Sequence, residues 1–220
     1  MSAMDFSRHK DELYTAVLSD VLDSFGYRDQ ALRPFVRPLD DAQNLFGRAR
    51  TGLYMNSYSV ADGENPYEVE IELVDDLQPG DVAVLGCGGP TERIAPWGEL
   101  LSTTAQKRGG VGCVTDGLVR DVRRIREMNF PVFHGGIAPL DSRGRGKMMA
   151  RDVPIACGGV PVSSGDVVFG DVDGIVIIPG AIAEKVVAAA LEKIHSENVT
   201  RSELERGLSL GEVYRKYGVL

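Results

Sequence analysis

Apolar residues recur at helical spacing from the first charged stretch onward. In HKDELYTAVLSDVLDSF (9–25), Leu13, Ala16, Val17, Val21, Leu22 and Phe25 share one face, and Gly26 offers a stop. LRPFVRPLD is too proline-rich for a helix and reads as a connector. GRARTGLYM reads as a strand. NPYEVEIELVDDLQPGD is open to a helix or an alternating strand, with helix preferred.

From residue 79 the pattern sharpens. PGDVAVLGCGG predicts a turn, a buried strand and a glycine-rich exit. GELLSTTAQKRG predicts a short helix ended by Gly109, GVGCVTDG a strand, LVRDVRRIREMN a helix and FPVFHGG a strand. IACGGVPVSSGDVVFGDVDGIVIIP predicts two or three strands joined by Gly-Asp turns. AIAEKVVAAALEKIHSENVTRSELERG predicts a long helix, with a break expected near Asn198, and SLGEVYRKYG a final short one. Strand and helix alternate in the middle and a strand-rich block follows, so an α/β class is expected. No linker or low-complexity segment interrupts the 220 residues, which are expected to form one domain.

Composition narrows the function classes. Hydrophobic residues make up 43% and charged residues 25%, enough apolar material for a substantial core. The formal charge of −8 argues against general affinity for nucleic-acid backbone, while leaving room for a small cationic pocket. No run of about 18 apolar residues occurs, so no membrane span is expected. MSAMDFSRHKDEL has no apolar signal region. Cys87, Cys113 and Cys157 are odd in number and widely spaced, as expected for buried thiols in a reducing compartment, and a cytoplasmic location is expected.

Several motifs fail on inspection. Gly86-Cys87-Gly88-Gly89 meets Pro90 and lacks the third glycine of a dinucleotide fingerprint. DSRGRGKMM lacks P-loop spacing and reads as a flexible basic loop, suited to intersubunit contacts or the far end of an anionic substrate. His9, His134 and His195 are too scattered for a triad, and Asp166, Asp171 and Asp173 read as turn formers.

Two helix starts remain. PWGELL opens a helix near Gly98, where free amides at Glu99, Leu100 and Leu101 suit a carboxylate. Arg120-Asp121 opens the next predicted helix after a strand end, with 20 residues between Glu99 and Arg120, about what one helix and one strand need to return to the same sheet edge. A single Asp can hold a largely hydrated Mg²⁺, and an Arg can bind a keto oxygen, so the set fits a chelated 2-keto acid. The competing reading makes Arg120 and Asp121 a helix cap, with Asp121 paired to Arg124.

WGELLSTTAQKRGGVGCVTDGLVRDVRRIREMNFPVF, then PLDSRGRG and SGDVVFGDVDGIVIIP, resemble the RraA-like family, which includes the 4-hydroxy-4-methyl-2-oxoglutarate/4-carboxy-4-hydroxy-2-oxoadipate aldolases and regulators of ribonuclease activity. The resemblance runs from about residue 15 to 194, leaving a C-terminal helical extension. It implies a compact α/β/β sandwich of the swivelling-domain type with flanking N- and C-terminal helices, assembled as a homotrimer or hexamer. It also implies that Asp121 binds Mg²⁺ or Mn²⁺, that Arg120 contacts the keto oxygen, and that the Leu100 and Leu101 amides take the carboxylate. A water held by the metal or by Glu99 would carry protons, Glu99 standing where the family pattern usually has Asp. Glu197, Glu203 and Glu205 are candidates for a glutamate supplied by a neighbouring subunit. The implied activity is retro-aldol cleavage to pyruvate with oxaloacetate decarboxylation beside it; a protein-binding regulator, or a lyase for another keto acid, is the alternative. Loops around His134, Arg143 and Arg145 would set substrate size.

Overall fold

The computed structural model describes residues 6–218. Residues 1–5 of the N-terminal stretch judged free of a signal region lie outside that range.

In chain order, α1 (Thr15–Ser24) is followed by β1 (Arg37–Pro38), β2 (Leu45–Asn56), α2 (Glu68–Asp75), β3 (Asp81–Gly86) and α3 (Glu99–Arg108). Then come β4 (Gly112–Thr115), β5 (Leu118–Val119), α4 (Val122–Glu127), β6 (Val132–His134), β7 (Gly136–Ile137) and β8 (Gly146–Arg151). The chain continues through β9 (Ile155–Cys157), β10 (Val160–Val162), β11 (Val167–Asp171), β12 (Gly174–Ile178), α5 (Ala183–Glu205) and α6 (Leu210–Tyr217).

The main sheet runs β1-β6-β4-β3-β2-β11-β12, with β8 also pairing to β2. Its centre, β6-β4-β3-β2, is parallel, which explains the near-continuous apolar runs in β3 and β4. β3 is buried throughout; Ala83 and Leu85 enter the core beneath the α2–α3–α4 layer, while Val82 and Val84 enter the one beneath the β9–β10 hairpin. A third core joins α1 and α5 to β11 and β12 through Leu18, Leu22, Val187 and Phe169. Each fully buried Leu or Phe contributes about 1.5–3 kcal/mol of transfer free energy. The α/β class and the flanking helices agree with expectation. No helix among the described residues is long and apolar enough to cross a membrane.

Some boundaries differ from those predicted. The first helix begins at Thr15, because buried Asp171 accepts both the Thr15 amide and its hydroxyl at 2.7 Å. The long C-terminal helix is continuous through Asn198, whose side chain accepts a hydrogen bond from Arg201 one turn on. The strand-rich block contains four strands, β9 to β12. The predicted helix LVRDVRRIREMN is cut to Val122–Glu127. Leu118 and Val119 are buried and pair with β7, and Asp121 has φ 59°, a left-handed conformation that cannot belong to the helix. The basic loop becomes β8 from Gly146 onward.

Candidate active site

The two helix starts singled out from sequence meet. Strand β5 runs beside the segment leading into α3, with the Leu118 amide donating to Ile94 O at 2.9 Å and the Arg120 amide to Trp97 O at 3.0 Å. Left-handed Asp121 then turns its carboxylate away from its own helix. It gives α4 no side-chain cap; instead its Oδ2 accepts the Glu99 amide of α3 at 3.2 Å. The local cap reading is thereby corrected: Asp121 serves the helix 22 residues earlier in the chain.

Gly98 permits this approach. A Cβ there would lie 2.8 Å from Asp121 Oδ2 and 3.1 Å from Arg120 Cγ. Having no side chain, Gly98 cannot cap α3, and the amides of Leu100 and Leu101 in its first turn have no intrahelical partner. The helix start is pinned from below: buried Trp97 donates its indole N–H to Ser102 Oγ at 2.8 Å, and that hydroxyl donates to Gly98 O at 3.0 Å. At its far end Gly109 adopts φ 89° and stops the helix, as predicted.

These residues border a cleft of about 390 Å³, lined by Gly98, Leu100, Leu101, Arg120 and Asp121 together with Tyr67, Glu70, Ile71 and Ser142. Arg120 sits between two carboxylates, its Nε 3.7 Å from Asp121 Oδ2 and its Nη1 3.8 Å from Asp141 Oδ1. Asp141 also accepts the Tyr67 hydroxyl at 2.7 Å. Burial works to raise the Asp141 pKa, but hydrogen bonds from Tyr67 and the Arg143 amide, then the Arg120 charge and the Ser142 amide, hold it below the ordinary carboxylate value.

Sequence reasoning missed Glu70, Tyr54, Tyr67 and Asp141. Glu70 is buried and its Oε2 accepts a hydrogen bond from the Tyr54 hydroxyl. Burial pushes its pKa up to about 7, against the opposing hydrogen bond from Tyr54 and the charge of Arg120 and with a further upward push from Asp141. The signal lay in the spacing: Glu70 shares the stripe 70, 73, 74, 77 with Leu73, Val74 and Leu77, all buried.

Other predicted residues lie elsewhere. The Glu99 carboxylate turns along α3 and accepts from Thr103 Oγ1 at 3.0 Å. Glu197 takes a hydrogen bond from Tyr14, Glu203 lies 3.4 Å from Arg206, and Glu205 is exposed on α5; within one chain none lines the cleft. His134 is buried at the end of β6, its Nδ1 without a hydrogen-bond partner among the described residues, and burial and Arg126 lower its pKa against an opposing backbone hydrogen bond with Gly136. Arg145 braces the Asp141 carbonyl at 3.1 Å, while Arg143 is exposed. The three cysteines are free and buried.

The glycine-rich exit of β3 is a structural device. Buried Asp116 accepts the amides of Cys87 at 2.6 Å, Gly89 at 2.9 Å and Gly158 at 3.2 Å, tying that loop to the β9–β10 turn. Among the described residues, no three His, Cys, Asp or Glu side chains cluster as a metal cage. The donor chemistry here suits a hydrated Mg²⁺ on the single carboxylate of Asp121 better than a protein-enclosed zinc.

A family model described as RraA-like, Aldolase/RraA, matches residues 15–177. The chain belongs to the RraA-like family. One relative, from Halalkalibacterium halodurans, bears the name "Putative 4-hydroxy-4-methyl-2-oxoglutarate aldolase"; it is 34% identical over 192 residues, covering 86% of this chain and 84% of its own length. Streptomyces coelicolor RraAS2, described as an unusual member of the RNase ES inhibitor RraA protein family, superposes with a TM-score of 0.81 at 30% identity, covering 90% of this chain and 98% of that one. An uncharacterized protein from Pseudomonas syringae pv. tomato gives a TM-score of 0.81 at 26% identity and covers 94% of each chain.

Proposed function

We propose that this RraA-like protein is a divalent-metal-dependent lyase that cleaves 4-hydroxy-2-keto acids, of the 4-hydroxy-4-methyl-2-oxoglutarate type, to pyruvate. The observation that carries the reading is the convergence of Arg120, Asp121 and the Leu100 and Leu101 end of α3 on one cleft, with Asp121 Oδ2 3.2 Å from the Glu99 amide. The name of the Halalkalibacterium relative supports the same chemistry.

Asp121 would hold Mg²⁺ or Mn²⁺ together with water. The bound ion would supply Lewis-acid polarisation of the keto oxygen. The Leu100 and Leu101 amides, aligned with the α3 dipole, receive the substrate carboxylate. Arg120 places a permanent charge where the enolate oxygen develops, and the flanking carboxylates Asp121 and Asp141 restrict its swing. Breaking C3–C4 sends the electron pair to C3 and leaves pyruvate enolate. Oxaloacetate loses CO₂ through the same enolate and is expected as a second substrate.

The test is pyruvate release, read by coupled lactate dehydrogenase, from each substrate with Mg²⁺ and with EDTA, after subtracting metal-only decarboxylation. Mg²⁺-dependent release is expected from both, and Asp121→Ala is expected to abolish the Mg²⁺ response. No release from either substrate would sink the reading. The likeness to RraAS2 favours a second one, a regulator that binds a ribonuclease, and that outcome would point to it. A homo-oligomer, trimer or hexamer, belongs to the proposal and is supported by exposed Leu100 and Ile71 at the cleft.

A further inference from the structure

Helix α2 inverts the usual polarity at two adjacent positions: Glu70 is 8% exposed, whereas Ile71 is 46% exposed. A carboxylate placed on the buried stripe of a short amphipathic helix opposes folding unless it is paired. Among the described residues Glu70 makes no ion pair; its direct partner is the hydroxyl of Tyr54, itself buried on β2. The second oxygen, Oε1, receives no hydrogen bond among the described residues, and Glu70 lines the same cleft as Arg120 and Asp121. Buried, hydrogen-bonded at one oxygen and open to a cleft at the residue level, such a carboxyl has the setting of an acid/base group. Glu99 is worse placed, because its carboxylate is engaged by Thr103 and lies off the cleft lining.

We propose that Glu70, held by Tyr54 in the cleft wall, is the proton carrier of the carbon–carbon cleavage. The inference rests on the lyase reading above and adds a catalytic residue to it. The Glu70 carboxylate takes the proton from the C4 hydroxyl; the C4 oxygen becomes a carbonyl as the C3–C4 bond breaks, and its electron pair forms the enolate at C3. Glu70, now the carboxylic acid, returns the same proton to C3, giving pyruvate and restoring the carboxylate. No other reactant is consumed.

Besides burial, the groups that set its titration are Tyr54 on β2, Arg120 after β5 and Asp141 before β8; Tyr67 at the start of α2 and, behind Tyr54, Cys87 and Cys113 are the further titratable groups nearby. Tyr54 and the charge of Arg120 stabilise the ionised form, while burial and Asp141 favour the neutral form. The balance near pH 7 lets one group both accept and donate at neutral pH.

The experiment compares wild type, Glu70→Gln and Tyr54→Phe on 4-hydroxy-4-methyl-2-oxoglutarate and on oxaloacetate, across pH with Mg²⁺. Decarboxylation has no hydroxyl proton to remove, and water can protonate a released enolate. Glu70→Gln is therefore expected to lower retro-aldol kcat by at least about a hundredfold and decarboxylation by less than about tenfold. The wild-type acid limb is expected near pH 7, to vanish in Glu70→Gln and to move upward in Tyr54→Phe, which removes a hydrogen bond that favours the carboxylate. Retro-aldol kcat within threefold of wild type, equal loss of both reactions or an unmoved acid limb in Tyr54→Phe would each overturn the assignment (threefold being about 0.65 kcal/mol). Inactivity of wild type on both substrates would instead overturn the lyase reading, and the assignment with it.

Discussion

Removing the Asp116 carboxylate tests whether the glycine-rich loop is held by one buried anion. Asp116 is 2% exposed and accepts three backbone amides, from Cys87, Gly89 and Gly158. Asp116→Ala leaves the Cys87 and Gly158 amides buried without that acceptor, whereas half-buried Gly89 can turn to water. An unpaired buried amide costs about 1–3 kcal/mol, so the two together cost about 2–6 kcal/mol. Relief of the carboxylate's own desolvation offsets part of this, giving an expected net loss of about 3 kcal/mol.

Asp116→Asn keeps the shape but turns an amino group toward at least one amide, donor against donor, and is expected to lose about 2 kcal/mol. Urea unfolding at fixed protein concentration, followed by fluorescence of the single tryptophan, reads both variants. That residue, Trp97, is buried in the same core cluster as Cys87, one of the residues Asp116 holds. An Asp116→Ala loss below about 1 kcal/mol with an unchanged m-value would show that the three contacts are incidental.

Gly98→Ala is expected to leave stability within about 1 kcal/mol, because the flexible Asp121 and Arg120 side chains can move from the new Cβ. Pyruvate release should nevertheless fall at least about tenfold as both groups are displaced; activity equal to wild type would refute the close-approach argument. Arg120→Ala should lower kcat about 10²–10³-fold with a smaller change in KM, and Arg120→Lys should recover part of it as a point charge. Glu70 also makes a stability prediction. Its pKa, raised from 4.5 to about 7, means the folded state binds the proton more tightly than the unfolded chain. Its stabilising contribution is complete below about pH 4.5 and is lost as pH rises through about 7, about 3 kcal/mol in all. Urea melts of wild type and Glu70→Gln at pH 5 and pH 8 read the difference; parallel pH dependence would refute it.

The chain's own periodicity determined where most strands and helices form, because burial on one face of a helix or both faces of a parallel strand leaves its mark on consecutive residues. The β3 and β4 runs, the α3 helix with its stop at Gly109, and the α/β class were all legible in this way. So was the pairing of two strand-end helix starts, since one helix and one strand return the chain to the same edge. Tertiary structure alone decided which way the side chains turn. The sequence around Asp121 suits a cap on α4 equally well; only the left-handed backbone and the proximity of α3 send its carboxylate to Glu99. Likewise the α2 stripe contains Glu70, but its meaning depends on Tyr54, 16 residues away on β2, and on Arg120 in the same cleft. Local patterns report what each segment buries. The partners that make a buried acid useful come from distant segments, and only packing brings them together.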